Sequence, residues 1–352
     1  MASNSKVIDV NMHFLPTNLF TDEEVLNGFL YSAPITFGMK AYLGKTPDGS
    51  KKQVILEYPE GKQILNYVDG DYTLETKIRA MDEAGVDIAM LRMPVWQEWL
   101  PLEMCKIVNT QAAEMCKRSE GRLVANTVVP PYGRKEDVDE LKRCIEDLGM
   151  VGVQLACCYG DRFLDDPLFD PYLKVINDMN IPAVIHHTPG QNAFTNFSDY
   201  TVLRRELGRV HAQAAAVGRE LYSGIFAKYP NLKFIHTMFG GNFFALQEIL
   251  APHAAKKKEA MNRLSADITR EDYDKFLKNN IFFDMTHPMS WGTAQLECAA
   301  KVCGADHLLM GSSFPVFYEW MARSVASIDA MNVSDEDKAL MKGGNAQRLF
   351  NL

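Results

Sequence analysis

The sequence predicts a (β/α)8 barrel, a TIM-type α/β fold, on two positive observations and one exclusion. Eight apolar runs of strand length alternate with longer stretches whose apolar residues recur at helical spacing, the rhythm of successive βαβ units around a parallel sheet. The chain has 352 residues, enough for one such barrel carrying an insertion. The rival is an open doubly wound sheet, which would place a Gly-rich phosphate loop after its first strand. No such loop follows Val7-Ile8-Asp9-Val10-Asn11.

The strands are read in order. Val7–Asn11 is the first, Asp87–Arg92 the second, Arg122–Val129 the third and Val151–Leu155 the fourth. Pro182–His187 is the fifth, Leu232–Met238 the sixth, Ile281–Met285 the seventh and His307–Gly311 the eighth. Helical patterns lie between them over Thr76–Gly85, Leu102–Arg118, Glu136–Asp147, Asp170–Met179 and Arg205–Lys228. Residues 14–75 interrupt the rhythm and are rich in Tyr, Gly, Pro and Phe. An insertion in the first βα loop belongs to the C-terminal face of a barrel, where active sites lie, so 14–75 is expected to form a lid or pocket subdomain. The sequence has no internal repeat, no low-complexity tract and no second-domain boundary, so residues 1–352 read as a single domain.

Composition narrows the function classes. The formal net charge of −8 is the wrong sign for a nucleic-acid binder and disfavours a membrane surface. No apolar run reaches the roughly 18 residues needed to span a bilayer. The opening MASNSKVIDV lacks a signal-peptide core, and the expected location is cytoplasmic. Seven cysteines without a CxxC pair read as reduced, mostly buried thiols. The 18 methionines read as flexible core filler or the lining of an apolar pocket.

Catalytic groups of a barrel come from the C-terminal ends of its strands, and five of the eight histidines fall there. The first strand runs into Asp9, Asn11 and His13, which alternation places on one face. The fifth ends in His186-His187, and the sixth carries His236 and Met238, two apart and so on one face. The seventh ends in Asp284 with His287 three residues on, and the eighth in Gly311-Ser312-Ser313-Phe314-Pro315. Arg92 ends the second strand and suits a substrate carboxylate or enolate, or a barrel-end salt bridge. Trp96, Trp99, Trp291 and the Phe243-Phe244 pair offer an aromatic wall, or simply core.

Several segments carry a family resemblance. They are Asp9-Val10-Asn11-Met12-His13-Phe14-Leu15-Pro16, Asn109 in VNTQAAEM, Gly149–Leu155, Asp165–Phe169, Ser223–Lys233 and Gly344–Phe350. Over the first 16 residues and roughly 76–352 the chain resembles the amidohydrolase superfamily. Within it, the chain is similar to the branch of aminocarboxymuconate-semialdehyde decarboxylase and γ-resorcylate decarboxylase. The resemblance implies a divalent metal held by two His of strand one, one of strand five, one of strand six and an Asp of strand eight. The corresponding positions here are Asn11, His13, His186, Met238 and Ser313. Two imidazoles remain of five ligands, and zinc normally takes at least three N, O or S protein ligands. The THP segment at His287 resembles the branch's HDP region, which implies a place near the substrate. The resemblance also implies a homodimer.

The expectation is therefore a degenerate metal site and no metal cofactor. The alternatives are a shifted zinc or manganese site at His13, His186, His236 and Asp284, or a weak residual one. Without a metal, His13, His186, His236, Asp284 and His287 would move protons, with Asn11, Arg92, His187, Met238, Ser313 and Trp291 contacting substrate. Three functions stay open for a small-molecule ligand. The first is a lyase or hydrolase at a carbon–carbon bond of a hydroxylated aromatic acid or cyclic β-diketone. The second is a metal-dependent hydrolase of a lactone, ester or amide. The third is a non-catalytic binding barrel.

Overall fold

The computed structural model describes residues 6–35, 38–188, 200, 202–252 and 268–352. Its main sheet has eight strands: β1 (Ile8–His13), β2 (Ile88–Arg92), β3 (Leu123–Val128), β4 (Gly152–Ala156), β5 (Ala183–His186), β6 (Phe234–His236), β7 (Ile281–Asp284) and β8 (Leu308–Leu309). They neighbour one another in sequence order, with parallel pairing from β1 to β8. β8 returns to β1 through Val10 N–H donating to Met310 O (2.9 Å), Ser313 N–H to Asn11 O (2.8 Å) and His13 N–H to Phe314 O (2.7 Å). The sheet thus curls into a barrel with helices around it, as the alternating pattern requires.

Alternation along each strand sets two shells. Ile8, Val10, Ile88, Met90, Val184, Ile235, Phe282 and Leu309 form a buried cluster of their own inside the barrel, closed below by Ala346 and Phe350. Outward-facing neighbours such as Leu91, Ile185 and Phe283, and Met12 beyond a register shift in β1, join the larger core between barrel and helices. Both strand faces are covered, which is why the runs are so uniformly apolar.

The insertion after β1 is a helix, Glu23–Ser32, and an antiparallel sheet of Lys40–Lys45, Lys52–Glu57 and Gln63–Val68. Asp22 caps the helix by accepting from the N–H groups of Glu24 and Val25. Among the described residues no helix is long and apolar enough to cross a membrane.

Three elements differ from expectation. The helix over Arg205–Lys228 is divided into a π-helical turn, Leu203–Leu207, an α-helix, Gly208–Tyr222, and a short Ile225–Lys228. The last break falls at Gly224, whose φ of +78° stops the helix. β8 spans two residues instead of five. Ser312 leaves the ladder to donate its N–H and hydroxyl to Asp9 (2.9 and 2.5 Å), and Ser313 has φ +58°. β6 ends at His236 because Met238–Asn242 all have positive φ and form a left-handed turn.

That turn depends on Gly241. At its φ of +70°, a Cβ would lie 1.9 Å from the Val210 carbonyl oxygen and 2.6 Å from the Ala214 nitrogen, both backbone atoms of the Gly208–Tyr222 helix. Gly241→Ala is expected to destabilise the protein by at least about 3 kcal/mol, read from denaturant unfolding. A midpoint equal to that of the parent would show that helix and turn can separate freely.

Candidate functional site

A polar layer sits directly above the apolar interior of the barrel. A bulge in β1 between Asp9 and Met12 resets its alternation, so Val10 faces inward below while Asn11 and His13 follow above. On β2, Arg92 continues the inward series of Ile88 and Met90. On β5, His186 follows Val184, and on β7 Asp284 follows Phe282. Asp284 is the hub of this layer. Its Oδ2 accepts from Asn11 Nδ2 at 3.0 Å and Arg92 Nη1 at 3.1 Å, and its Oδ1 accepts from Thr286 N–H at 2.8 Å. Gly311 makes room, since a Cβ there would meet Asp284 Oδ1 at 2.1 Å and Asn11 Cβ at 2.8 Å. Burial pushes the Asp284 carboxyl up while the Arg92 guanidinium opposes it. Burial brings Arg92 down to about 10 against the pull of Asp284.

The strand ends open into a cavity of about 350 Å³. His13, His187, His287 and Ser313 line it from the ends of β1, β5, β7 and β8. The strand Gln63–Val68, with Tyr67, lines it from the insertion, and Arg205, Glu206 and Arg209 line it from the helix after β5. Trp320 stacks on His287 with ring centroids 4.1 Å apart. His287 and Ser313 have φ of +43° and +58°. Left-handed non-glycine residues store strain of about 1–3 kcal/mol each and cluster at functional sites.

The imidazoles here are held neutral. Both ring nitrogens of His13 are buried without a partner. Burial, then the neighbouring His186, pushes its pKa well below the usual imidazole range. His187 is pushed the same way by burial and then by His186, on which it stacks at 4.1 Å. Burial, then Arg92, brings His186 down to about 3. Burial, then Arg209 and Arg205, brings His287 down to about 3. A desolvated imidazole beside fixed cations cannot hold a proton cheaply.

The structure assembles part of the expected set and corrects the rest. His13, His187, His287 and Ser313 meet in the cavity. Asn11, Arg92, His186 and Asp284 lie in the layer beneath and do not line it. His236 is not part of the site. Ile235 takes the inward position on β6, so His236 points out to the Gly208–Tyr222 helix. There its Nδ1 meets Gln213 Oε1 at 2.8 Å and its Nε2 meets Glu220 Oε2 at 2.7 Å. The shared face assigned to His236 and Met238 fails because the strand ends between them. Met238 is buried, its N–H donates to Thr286 Oγ1 (3.1 Å), and it does not line the cavity. Trp291 packs edge-on against Phe239 and is likewise absent from the lining. Trp96 is core, its indole N–H donating to Phe29 O.

Four cavity residues escaped the sequence reading: Tyr67, Arg205, Arg209 and Trp320. Tyr67 lies in the insertion and Trp320 five residues past the Gly311–Pro315 segment, with no local pattern to set them apart. Arg205 and Arg209 were legible only as two cations four apart at the start of a helical pattern. Lys77 was also missed. It is fully buried and donates to the His13 carbonyl oxygen, and burial brings its amine down to about 7.

The residues present do not fit the cation that the family resemblance implies. The buried donors without a partner are both ring nitrogens of His13, His186 Nε2 and His287 Nδ1, with the amide oxygen Asn11 Oδ1. The carboxylates of Asp9 and Asp284 are spent on hydrogen bonds within the barrel. Arg92, with Nε and Nη2 unpartnered, adds a fixed positive charge beside them. All of these donors are neutral, and without an anionic ligand and next to a guanidinium they are a poor match to a divalent ion. Among the described residues no group of three or more His, Cys, Asp or Glu is placed to hold a metal.

Comparison with known proteins places this geometry in context. The family model described as Amidohydrolase matches residues 8–352. The γ-resorcylate decarboxylase of a Rhizobium species is 26% identical over 315 residues, covering 81% of this chain and 92% of that one. The 2-keto-4-carboxy-3-hexenedioate hydratase of a Sphingobium species is 24% identical over 344 residues, covering 89% and 94%. The fold is shared with a 5-carboxyvanillate decarboxylase from Novosphingobium aromaticivorans, solved with manganese and 4-hydroxy-3-methoxy-5-nitrobenzoic acid. That structure matches with a TM-score of 0.77 at 20% identity, covering 99% of this chain and 97% of that one.

The two classes of histidine are separable by stability. His236→Ala strips Glu220 and Gln213 of their partner and is expected to cost about 3–5 kcal/mol. His13→Ala removes a ring whose nitrogens bond to nothing, and should cost less than half as much. Urea unfolding of both variants measures this. Equal losses would mean that His13 is a structural histidine.

Proposed function

The chain belongs to the amidohydrolase family, an enzyme family, and from that membership we propose that it is a lyase. Its substrate is a hydroxylated aromatic or closely related cyclic acid, and its own histidines carry the proton transfers. The observation that carries this reading is that His13, His187 and His287, whose pKa values burial lowers, share the lining of one cavity with the cations Arg205 and Arg209. Such a cavity admits a single-ring anion, and its floor is suited to proton transfer to carbon.

The reaction follows from the electrostatics. An anionic substrate lying over His13 favours the charged imidazole, so binding draws a proton onto the ring. The imidazolium gives that proton to the ring carbon bearing the carboxylate. The carbon–carbon bond then breaks, its electron pair returns to the ring, and CO2 leaves. Water replaces the proton on His13. His187 and Ser313 are placed to hold the substrate hydroxyl. Asp284 acts only through others, holding Asn11 and Arg92 in place beneath. Arg92 keeps a positive charge under the reacting carboxylate, and no step uses a metal ion.

A second reading is addition of water to a double bond, which the Sphingobium hydratase performs by its name. Product mass separates the two, because one loses CO2 and the other gains water. The test is a panel of hydroxybenzoates assayed for CO2 release with metal-analysed protein. CO2 release that survives chelation is expected. Activity that tracks stoichiometric zinc or manganese would overturn the metal-free mechanism. His13→Ala and His187→Ala should each lower kcat about 10²–10⁴-fold.

The pH dependence has a definite sign. A histidine whose pKa is lowered stays neutral until the pH falls towards its new value. His186 and His287 are held near 3, so kcat/KM, which reports the free enzyme, should show no imidazole limb near the ordinary value of about 6.5. An acid limb centred there would contradict the neutral floor.

A further inference from the structure

The part of the lining formed by the helix after β5 carries more positive charge than one reacting carboxylate explains. Arg205 and Arg209 stand one helical turn apart and both line the cavity. Arg209 is only 8% exposed, and the Nε of each is buried with no hydrogen-bond partner. The acids nearby do not consume this charge. Glu206 lines the same cavity and acts on Arg209, and Asp71, also in the lining, is engaged by Lys51 at 3.3 Å. Tyr67, on the facing insertion strand, has a buried hydroxyl that also lacks a partner. Leaving buried donors unsatisfied is costly, and here three of them converge on one end of one cavity.

All three groups donate. A neutral carbonyl would satisfy one or two of them, whereas a carboxylate offers four lone pairs in one plane and suits the fork of a guanidinium. The positive field of the pair also reaches His287, whose imidazole it holds down together with burial. An anion seated between them relieves that field and leaves the histidine floor for the reacting group.

We propose that Arg205, Arg209 and Tyr67 form a second anion subsite, and that the substrate is a dicarboxylate. One carboxylate lies over the histidine floor, and the other is held at this wall. The inference rests on the cavity reading above but not on which bond breaks there.

Calorimetry with the full-length protein tests it. The probes are 2,6-dihydroxybenzoate and 4,6-dihydroxyisophthalate, which differ in hydroxyl placement and in the second ring carboxylate. The dicarboxylate should bind about 30-fold more tightly, with an affinity that falls as salt rises. Arg209→Gln and Arg205→Gln should each remove roughly 10-fold of the dicarboxylate affinity and weaken the monocarboxylate several-fold less. Tyr67→Phe should act in the same direction and more weakly, and it stands in should an arginine variant fail to fold. Equal binding of the two acids, equal weakening of both by the variants, or binding of neither overturns the subsite. CO2 release is read separately. A dicarboxylate preference without CO2 release leaves the subsite and sinks the lyase reading. CO2 release from the monocarboxylate with no preference does the reverse.

Discussion

The buried pair of Arg92 and Asp284 is the constraint on which the rest of the site is built. Two charges inside a barrel are tolerable when they face each other and further hydrogen bonds satisfy the carboxylate. Here one carboxylate gathers the guanidinium of β2, the Asn11 amide of β1 and the Thr286 amide after β7. Gly311 must therefore lack a side chain. With β8 drawn that close, Ser312 reaches Asp9 and the last strand returns to the first. Barrel closure and the platform under the cavity are thus one set of contacts.

That platform sets the chemistry above it. Arg92 beneath and Arg205 and Arg209 beside the cavity are fixed cations, and the imidazoles between them are desolvated. Both effects act in one direction and lower the pKa of the rings. A divalent ion would add positive charge to a region already rich in it, and its carboxylate ligands are committed elsewhere. The same positive charge that disfavours a cation is the basis of the anion site proposed above.

Family membership and site chemistry separate here. The match over residues 8–352 fixes which loops surround the cavity, since those follow from the barrel. It does not fix which side chains the loops present. Asn11 and Ser313 stand where the resemblance implies a ligand, and each has taken a structural bond, Asn11 to Asp284 and the Ser313 N–H to Asn11 O.

The sequence by itself determined the eight strands, their order, the insertion after the first and the concentration of His13, His187, His287 and Ser313 at strand ends. These follow from periodicity and chain order, which are local properties. Only the tertiary structure decided parity and reach. The bulge in β1, the inward place of Ile235 that turns His236 out to Glu220, and the left-handed turn that removes Met238 are settled by how neighbouring strands and helices pack. Arg205, Arg209, Tyr67 and Trp320 come from segments far apart in the chain. Their convergence is a property of the closed barrel, where an unfilled donor becomes costly only once packing has taken it out of water.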